Sequence, residues 1–151
     1  MNTFIPYRDF CQVARCLDDK RLFKQAVEAK QIIDILTTGK TKSGSDYPLS
    51  MKHHPIVFAW TGYVPTLKRY FDWMLFEIDI RKKWKTKLDF YDDETVGKLP
   101  HWLTDEVCEM YQAHLYRKDS IYYKNFSVDP TIPFNWELLK TDLSVKKADE
   151  V

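Results

Sequence analysis

The chain has 151 residues, of which 44% are hydrophobic, 30% charged and 15% aromatic, with a formal net charge of +1. This length and mix suit one soluble globular domain with a full core. They exclude a nucleic-acid binder that works through overall positive charge, although local patches can still meet phosphates. Three cysteines, Cys11, Cys16 and Cys108, form no disulfide pattern and no CxxC pair, which points to reduced thiols, a cytoplasmic setting and no cysteine zinc site.

In chain order, "MNTFIPYRDF" lacks the basic start and apolar run of a signal peptide. Asp9 is placed to cap a short helix through "FCQVARCL", and Asp18 to cap a second that runs to about Thr38 and stops at Gly39. The stretch 38–48, "TGKTKSGSDYP", reads as a surface loop and lacks the glycine spacing of a phosphate loop. Pro55 and Pro65 suit the first turns of two further helices. The second of these, "PTLKRYFDWMLFEIDIRKKW", presents Leu67, Tyr70, Phe71, Met74, Leu75 and Ile78 on one face and ends in a basic run over 81–87. An acidic, irregular stretch follows. Thr104 then caps "DEVCEMYQAHLYRKD", and "VDPTIPFNW" is extended and punctuated by proline.

No apolar cluster is long enough to span a bilayer. The expected fold is all-α: a single-domain bundle of about five helices over residues 1–140, with an extended Pro-containing segment near its end and a polar tail at 141–151.

The second helix carries an anomaly. Arg21, Gln25 and Glu28 are spaced i, i+4, i+7 and share a stripe beside the apolar positions Leu22, Ala26, Ala29, Ile33 and Leu36. A carboxylate on the core side needs a partner or a wet cleft, because burying it alone costs several kcal/mol. Two readings fit. In one, Arg21 neutralises Glu28 and Gln25 bridges them. In the other, the stripe floors a polar pocket in which Glu28 does acid–base or charge-stabilising work. Lys20 and Lys24 fall off this stripe. His53 and His54 before Pro55 suit capping or packing as well as binding. Together with His101 and His114 they make no metal motif, so no metal is expected. Arg117 and Lys118 complement a helix C-terminus or clamp a phosphate. The rings, Trp60 among them, are core residues by default, with one or two available to stack on a base.

The order of these pieces resembles the pyrimidine-dimer DNA glycosylase (endonuclease V) family, and especially its short bacterial and phage relatives. The pieces are "MNTFIPY" at the start, "LDDKRLFKQAVEAKQI" at 17–32, "HHPIVFAWTGY" at 53–63, "LPHWL" at 99–103, "YRKD" at 116–119 and "PFNW" at 133–136, so the resemblance covers about residues 1–136. It implies an all-α fold whose N-terminus passes close to a catalytic glutamate, here Glu28. It also implies an α-amine, here that of Met1, that attacks C1′ of the damaged nucleotide. Base release and an imine follow, then strand cleavage by β-elimination as an AP lyase. On this reading Arg21, Gln25, Gln31, His54 and Trp60 line the substrate pocket and Arg117 and Lys118 hold a phosphate. The partner is damaged or modified DNA, no cofactor or metal is needed, and the protein is a monomer. Two other readings keep the fold: an enzyme that cleaves or exchanges the N-glycosidic bond of free nucleotides or nucleosides, and a non-enzymatic module that binds a nucleotide or a protein.

Overall fold

Asp9 starts the first helix as its sequence position suggests: its carboxylate accepts hydrogen bonds from the amides of Cys11 and Gln12 and opens α1, Phe10–Cys16. The computed structural model describes residues 1–140, and the polar tail expected at 141–151 lies outside them. Asp18 stands at the cap of α2, Asp19–Thr37, but makes no capping bond. Its carboxylate instead accepts from the Tyr123 hydroxyl and from Arg21, 3.2 Å away. α2 ends where expected, with Gly39 in the left-handed region (φ 69°) and its amide, like that of Thr38, bonded to the Asp34 carbonyl.

A one-turn helix, α3, Leu49–Lys52, follows the polar loop of residues 38–48, which holds a single antiparallel bridge between Lys40 and Asp46. α4, Pro55–Trp60, and α5, Val64–Arg81, each carry proline in the first turn. α5 stops three residues short of Trp84, because Lys82 turns left-handed (φ 53°). α6, Asp105–Lys118, is capped by Thr104, whose hydroxyl accepts from the Val107 amide. A 3-10 turn, Trp136–Leu139, follows. The described residues thus form six helices and no strand: an all-α fold.

The core lies between α2 and α5, which pack along each other. Leu22, Ala26, Ala29, Ile32 and Ile33 from α2 meet Leu67, Tyr70, Phe71, Met74, Leu75 and Ile78 from α5, all of them buried. Each large apolar side chain placed there contributes about 1.5–3 kcal/mol. The irregular segment 82–99 returns along α5. Asp72 accepts from the amides of Tyr91 and Asp92, Asp93 pairs with Lys68 at 3.0 Å, and Thr66 donates to the Lys98 carbonyl at 2.6 Å. Gly97 allows that last approach: a Cβ there would lie 2.3 Å from the Thr66 hydroxyl oxygen. Among the described residues, no helix is long and apolar enough to cross a membrane.

Candidate active site

Residues 2–5 thread through the molecule as an irregular segment, and several of their polar groups find partners on helices, while the Thr3 amide bonds to Asn2 Oδ1. The Phe4 amide donates to Gln25 Oε1 at 2.7 Å, and the Phe4 carbonyl lies 2.9 Å from the Tyr70 hydroxyl. Thr3 Oγ1 accepts from the Trp60 indole at 3.0 Å, and Asn2 Oδ1 accepts from the Tyr111 hydroxyl at 2.8 Å. The Asn2 amide donates to Glu28 Oε2 at 3.2 Å. Thr3, Phe4 and Ile5 are buried, and Met1 and Asn2 are half-buried. Four elements, α2, α4, α5 and α6, therefore fix the start of the chain.

Glu28 is the carboxylate this segment meets. It is only 8% exposed. Its two oxygens differ: Oε2 accepts from the Asn2 amide and from the Gln25 side-chain amide at 3.1 Å, whereas Oε1 accepts no hydrogen bond from any described residue. The Lys24 ammonium stands 3.9 Å from Oε1, so Lys24 reaches the site although its position lies off the stripe. One oxygen is anchored by two hydrogen bonds and the other meets only the Lys24 ammonium. Gln25 is the hub of the arrangement. It is fully buried, its oxygen takes the Phe4 amide and lies 2.9 Å from the Tyr70 hydroxyl, and its nitrogen holds Glu28.

Arg21 does not neutralise Glu28. It pairs with Asp18 at i−3, within the same turn, where the shorter reach is satisfied first. Nor does Gln25 bridge the two: its nitrogen holds Glu28, but its oxygen is taken by the Phe4 amide and the Tyr70 hydroxyl rather than by Arg21. Trp60 is fully buried, edge-on to Trp102 at 5.2 Å, and so presents no face to a base; its contribution is to hold Thr3. Arg117 is turned onto the extended segment, donating to the carbonyls of Pro130 and Ile132 at 2.7 and 2.6 Å. Lys118 is exposed at the end of α6. Gln31 lies one turn beyond Glu28, at the edge of a cleft of about 550 Å³ between α2 and residues 87–91. Lys30, Lys40, Lys42 and Lys87 line this cleft together with Tyr47, Phe90 and Tyr91. Within the basic run 81–87, Arg81 and Lys83 both pair with Asp19, at 2.9 and 2.7 Å. No group of three or more His, Cys, Asp or Glu among the described residues is arranged to hold a metal.

A chain of aromatic side chains borders the amino terminus. His54 packs edge-on against Trp136 at 5.3 Å, Trp136 against Phe134 at 4.7 Å, Phe134 against His114 at 5.0 Å, and His114 against Phe4 at 5.8 Å. Phe134 also meets Tyr111, the partner of Asn2. The sequence signal was present in "PFNW", but nothing in it says which helix the segment would cover. Asn2 and Tyr111 are 109 residues apart, and no local pattern connects them.

His54 heads α4, where its Nδ1 accepts the Ile56 amide at 3.1 Å. Burial and the nearby positive α-amine hold its pKa below the ordinary value, with Glu28 pulling the other way. The α-amine and Glu28 thus both act on His54 electrostatically, in opposite directions. His114 is pushed further, down to about 4, first by burial and then by the charges of Lys118, Arg117 and Arg21. It stays neutral in the folded protein while the unfolded chain takes up a proton at about pH 6.5. Stability is therefore highest above that pH and is lost as pH falls from about 6.5 towards 4, because the unfolded state binds the extra proton. With solvent screening allowed for, His114→Phe is expected to remove on the order of 1–2 kcal/mol of that pH dependence. Urea denaturation at pH 7.5 and pH 5 measures it; an unchanged difference between the two pH values would show that His114 is not the group responsible.

A family model for pyrimidine dimer DNA glycosylase matches residues 1–92, which hold α1 to α5 and both Glu28 and His54. No curated protein and no solved structure matches the chain.

Proposed function

Because the chain belongs to the pyrimidine dimer DNA glycosylase family, we propose that it removes a damaged or modified pyrimidine from DNA, with the Met1 α-amine as nucleophile and Glu28 as the charge-stabilising carboxylate, and then cuts the strand as an AP lyase. The observation that carries this reading is the 3.2 Å contact from the Asn2 amide to Glu28 Oε2, which joins the chain's first residues to a nearly buried carboxylate with one oxygen unbonded.

The amine nitrogen attacks C1′, and the C1′–N1 bond breaks with its electron pair leaving on the base. Positive charge grows on the sugar during this step. A carboxylate held rigidly in a site of low polarity stabilises such charge far better than water does. Glu28 Oε2 is locked by two donors, so no reorganisation is needed. Oε1 takes the proton that the attacking nitrogen must lose and delivers it to the departing base. Ring opening at O4′ then gives the imine, from which β-elimination breaks the strand. A base inside a duplex must first be unstacked. The lysines of the cleft beside Gln31 are suited to track the phosphates of the strand that runs on from the site along α2.

Borohydride trapping on duplex DNA carrying a pyrimidine dimer tests the proposal, read by intact mass and peptide mapping. The expected result is a covalent adduct on the N-terminal residue together with cleavage of one C1′–N1 bond of the dimer, whose base stays tethered to its neighbour until photoreversal frees it, and no cleavage of free nucleosides. An adduct on Lys24 would reassign the nucleophile. Absence of both adduct and base release across pyrimidine lesions would overturn the reading.

A further inference from the structure

The neutral form of His54 has its tautomer fixed by the fold. Nδ1 accepts the Ile56 amide at 3.1 Å, so its lone pair is engaged and the single ring proton sits on Nε2. The ring plane is held by the edge-on contact with Trp136, at 5.3 Å and 86°. Nε2 lies on the edge of the imidazole away from the α4 backbone and makes no hydrogen bond to any described residue. The side chain is half-buried, and its packing partner Trp136 leads through Phe134 to Tyr111, which holds Asn2 beside Glu28; the charges of the α-amine and of Glu28 both reach it. A preorganised donor without a partner, in the field of a nucleophile and a carboxylate, is a group waiting for an acceptor on the substrate.

We propose that His54 Nε2–H is the hydrogen-bond donor to the O2 carbonyl of the departing pyrimidine, and that it thereby selects bases that leave with negative charge shared between N1 and O2. This rests on the glycosylase reading above. The acceptor follows from chemistry. When C1′–N1 breaks, the electron pair spreads over N1 and O2, and a fixed donor at O2 is stronger in the transition state than in the ground state. The imidazole lends this bond without giving up its proton; the proton that completes the base still comes from the attacking amine by way of Glu28. A cationic histidine would serve worse, because it would repel the α-amine's developing positive charge and would forfeit the bond to Ile56. Burial and the amine's own charge both oppose protonation.

Two substitutions separate this role from the capping role. In His54→Asn the side-chain oxygen replaces Nδ1 as the acceptor at the head of α4, a position that favours Asn, and the Nε2 donor is lost. In His54→Gln the amide nitrogen approximates Nε2. His54→Asn is expected to melt at the wild-type temperature and to lose roughly 10²-fold in single-turnover base release. His54→Gln is expected to recover about tenfold of that loss, as a partly aligned donor would. The loss in His54→Asn should be larger for pyrimidines that are poorer leaving groups, a dependence that a merely structural residue would not produce. Nitrogen-15 spectra of the wild type should show the proton on Nε2. Equal loss across leaving groups, wild-type rates in His54→Asn, or a proton on Nδ1 would each overturn the proposal while leaving the glycosylase reading intact. No base release by the wild type would overturn both.

Discussion

Glu28→Gln is expected to lower single-turnover base release by roughly 10³-fold while leaving the melting temperature within a few degrees of wild type. The two halves of this expectation come from the two oxygens. The amide oxygen of glutamine can occupy the place of Oε2 and accept from both Asn2 and Gln25, so the fit with the N-terminal segment survives. The amide nitrogen then takes the place of Oε1. It carries no negative charge for the sugar cation and cannot accept the proton shed by the amine. Base freed from dimer-containing duplex after photoreversal measures the first half and circular-dichroism melting the second. A variant that keeps the wild-type rate would remove Glu28 from the mechanism.

Gln25→Leu should cost about 3 kcal/mol in urea denaturation, and base release should fall even under conditions where the variant is fully folded. Leucine is close in size, so little of the cost comes from a cavity. The cost comes from donors stranded inside the protein. The Phe4 amide and the Tyr70 hydroxyl both use the Gln25 oxygen, at 2.7 and 2.9 Å. The Tyr70 proton can turn wholly to the Phe4 carbonyl, also 2.9 Å away, but the Phe4 amide has no second acceptor. Burial raises the Tyr70 pKa well above its ordinary value, so it remains a neutral donor throughout the working pH range. Activity falls as well because the same substitution frees Glu28 Oε2 from the Gln25 amide. Tyr70→Phe is the control. It should cost less than Gln25→Leu, since the oxygen of Gln25 keeps the Phe4 amide. Equal stability of Gln25→Leu and wild type would mean that the N-terminal segment is held by its apolar side chains alone.

The helices were legible because local rules decide them. Asp9, Thr104, Pro55, Pro65 and Gly39 mark their boundaries by backbone geometry that any neighbour would leave unchanged. Lys82 shows the limit of such rules: periodicity alone carried α5 towards Trp84, while Asp19 on another helix draws Arg81 and Lys83 and fixes where the turn falls. At the site, the polar stripe of α2 was visible as an anomaly of period 3.6, and Gln25 and Glu28 are indeed buried. Its partners were not visible. Arg21 looked like the natural mate of Glu28, yet Asp18 is nearer in the turn and competes for it. Trp60 looked like a candidate for stacking, and only the three-dimensional packing that covers both of its faces shows that it is interior. The groups gathered around Gln25, Glu28 and His54, namely Asn2, Tyr70, Tyr111 and Trp136, are brought in from four separate parts of the chain, which no pattern in one stretch can encode.

The bond from Tyr111 to Asn2 has a consequence for the newly made polypeptide. The first residues to leave the ribosome cannot take their final place until a segment synthesised 109 residues later has emerged and coiled. Products that terminate early, even those containing α1 to α5 whole, would carry both an amine and a carboxylate yet lack the α6 tyrosine that holds Asn2. On the proposed mechanism, such fragments would lack one of the contacts that set the amine beside the carboxylate.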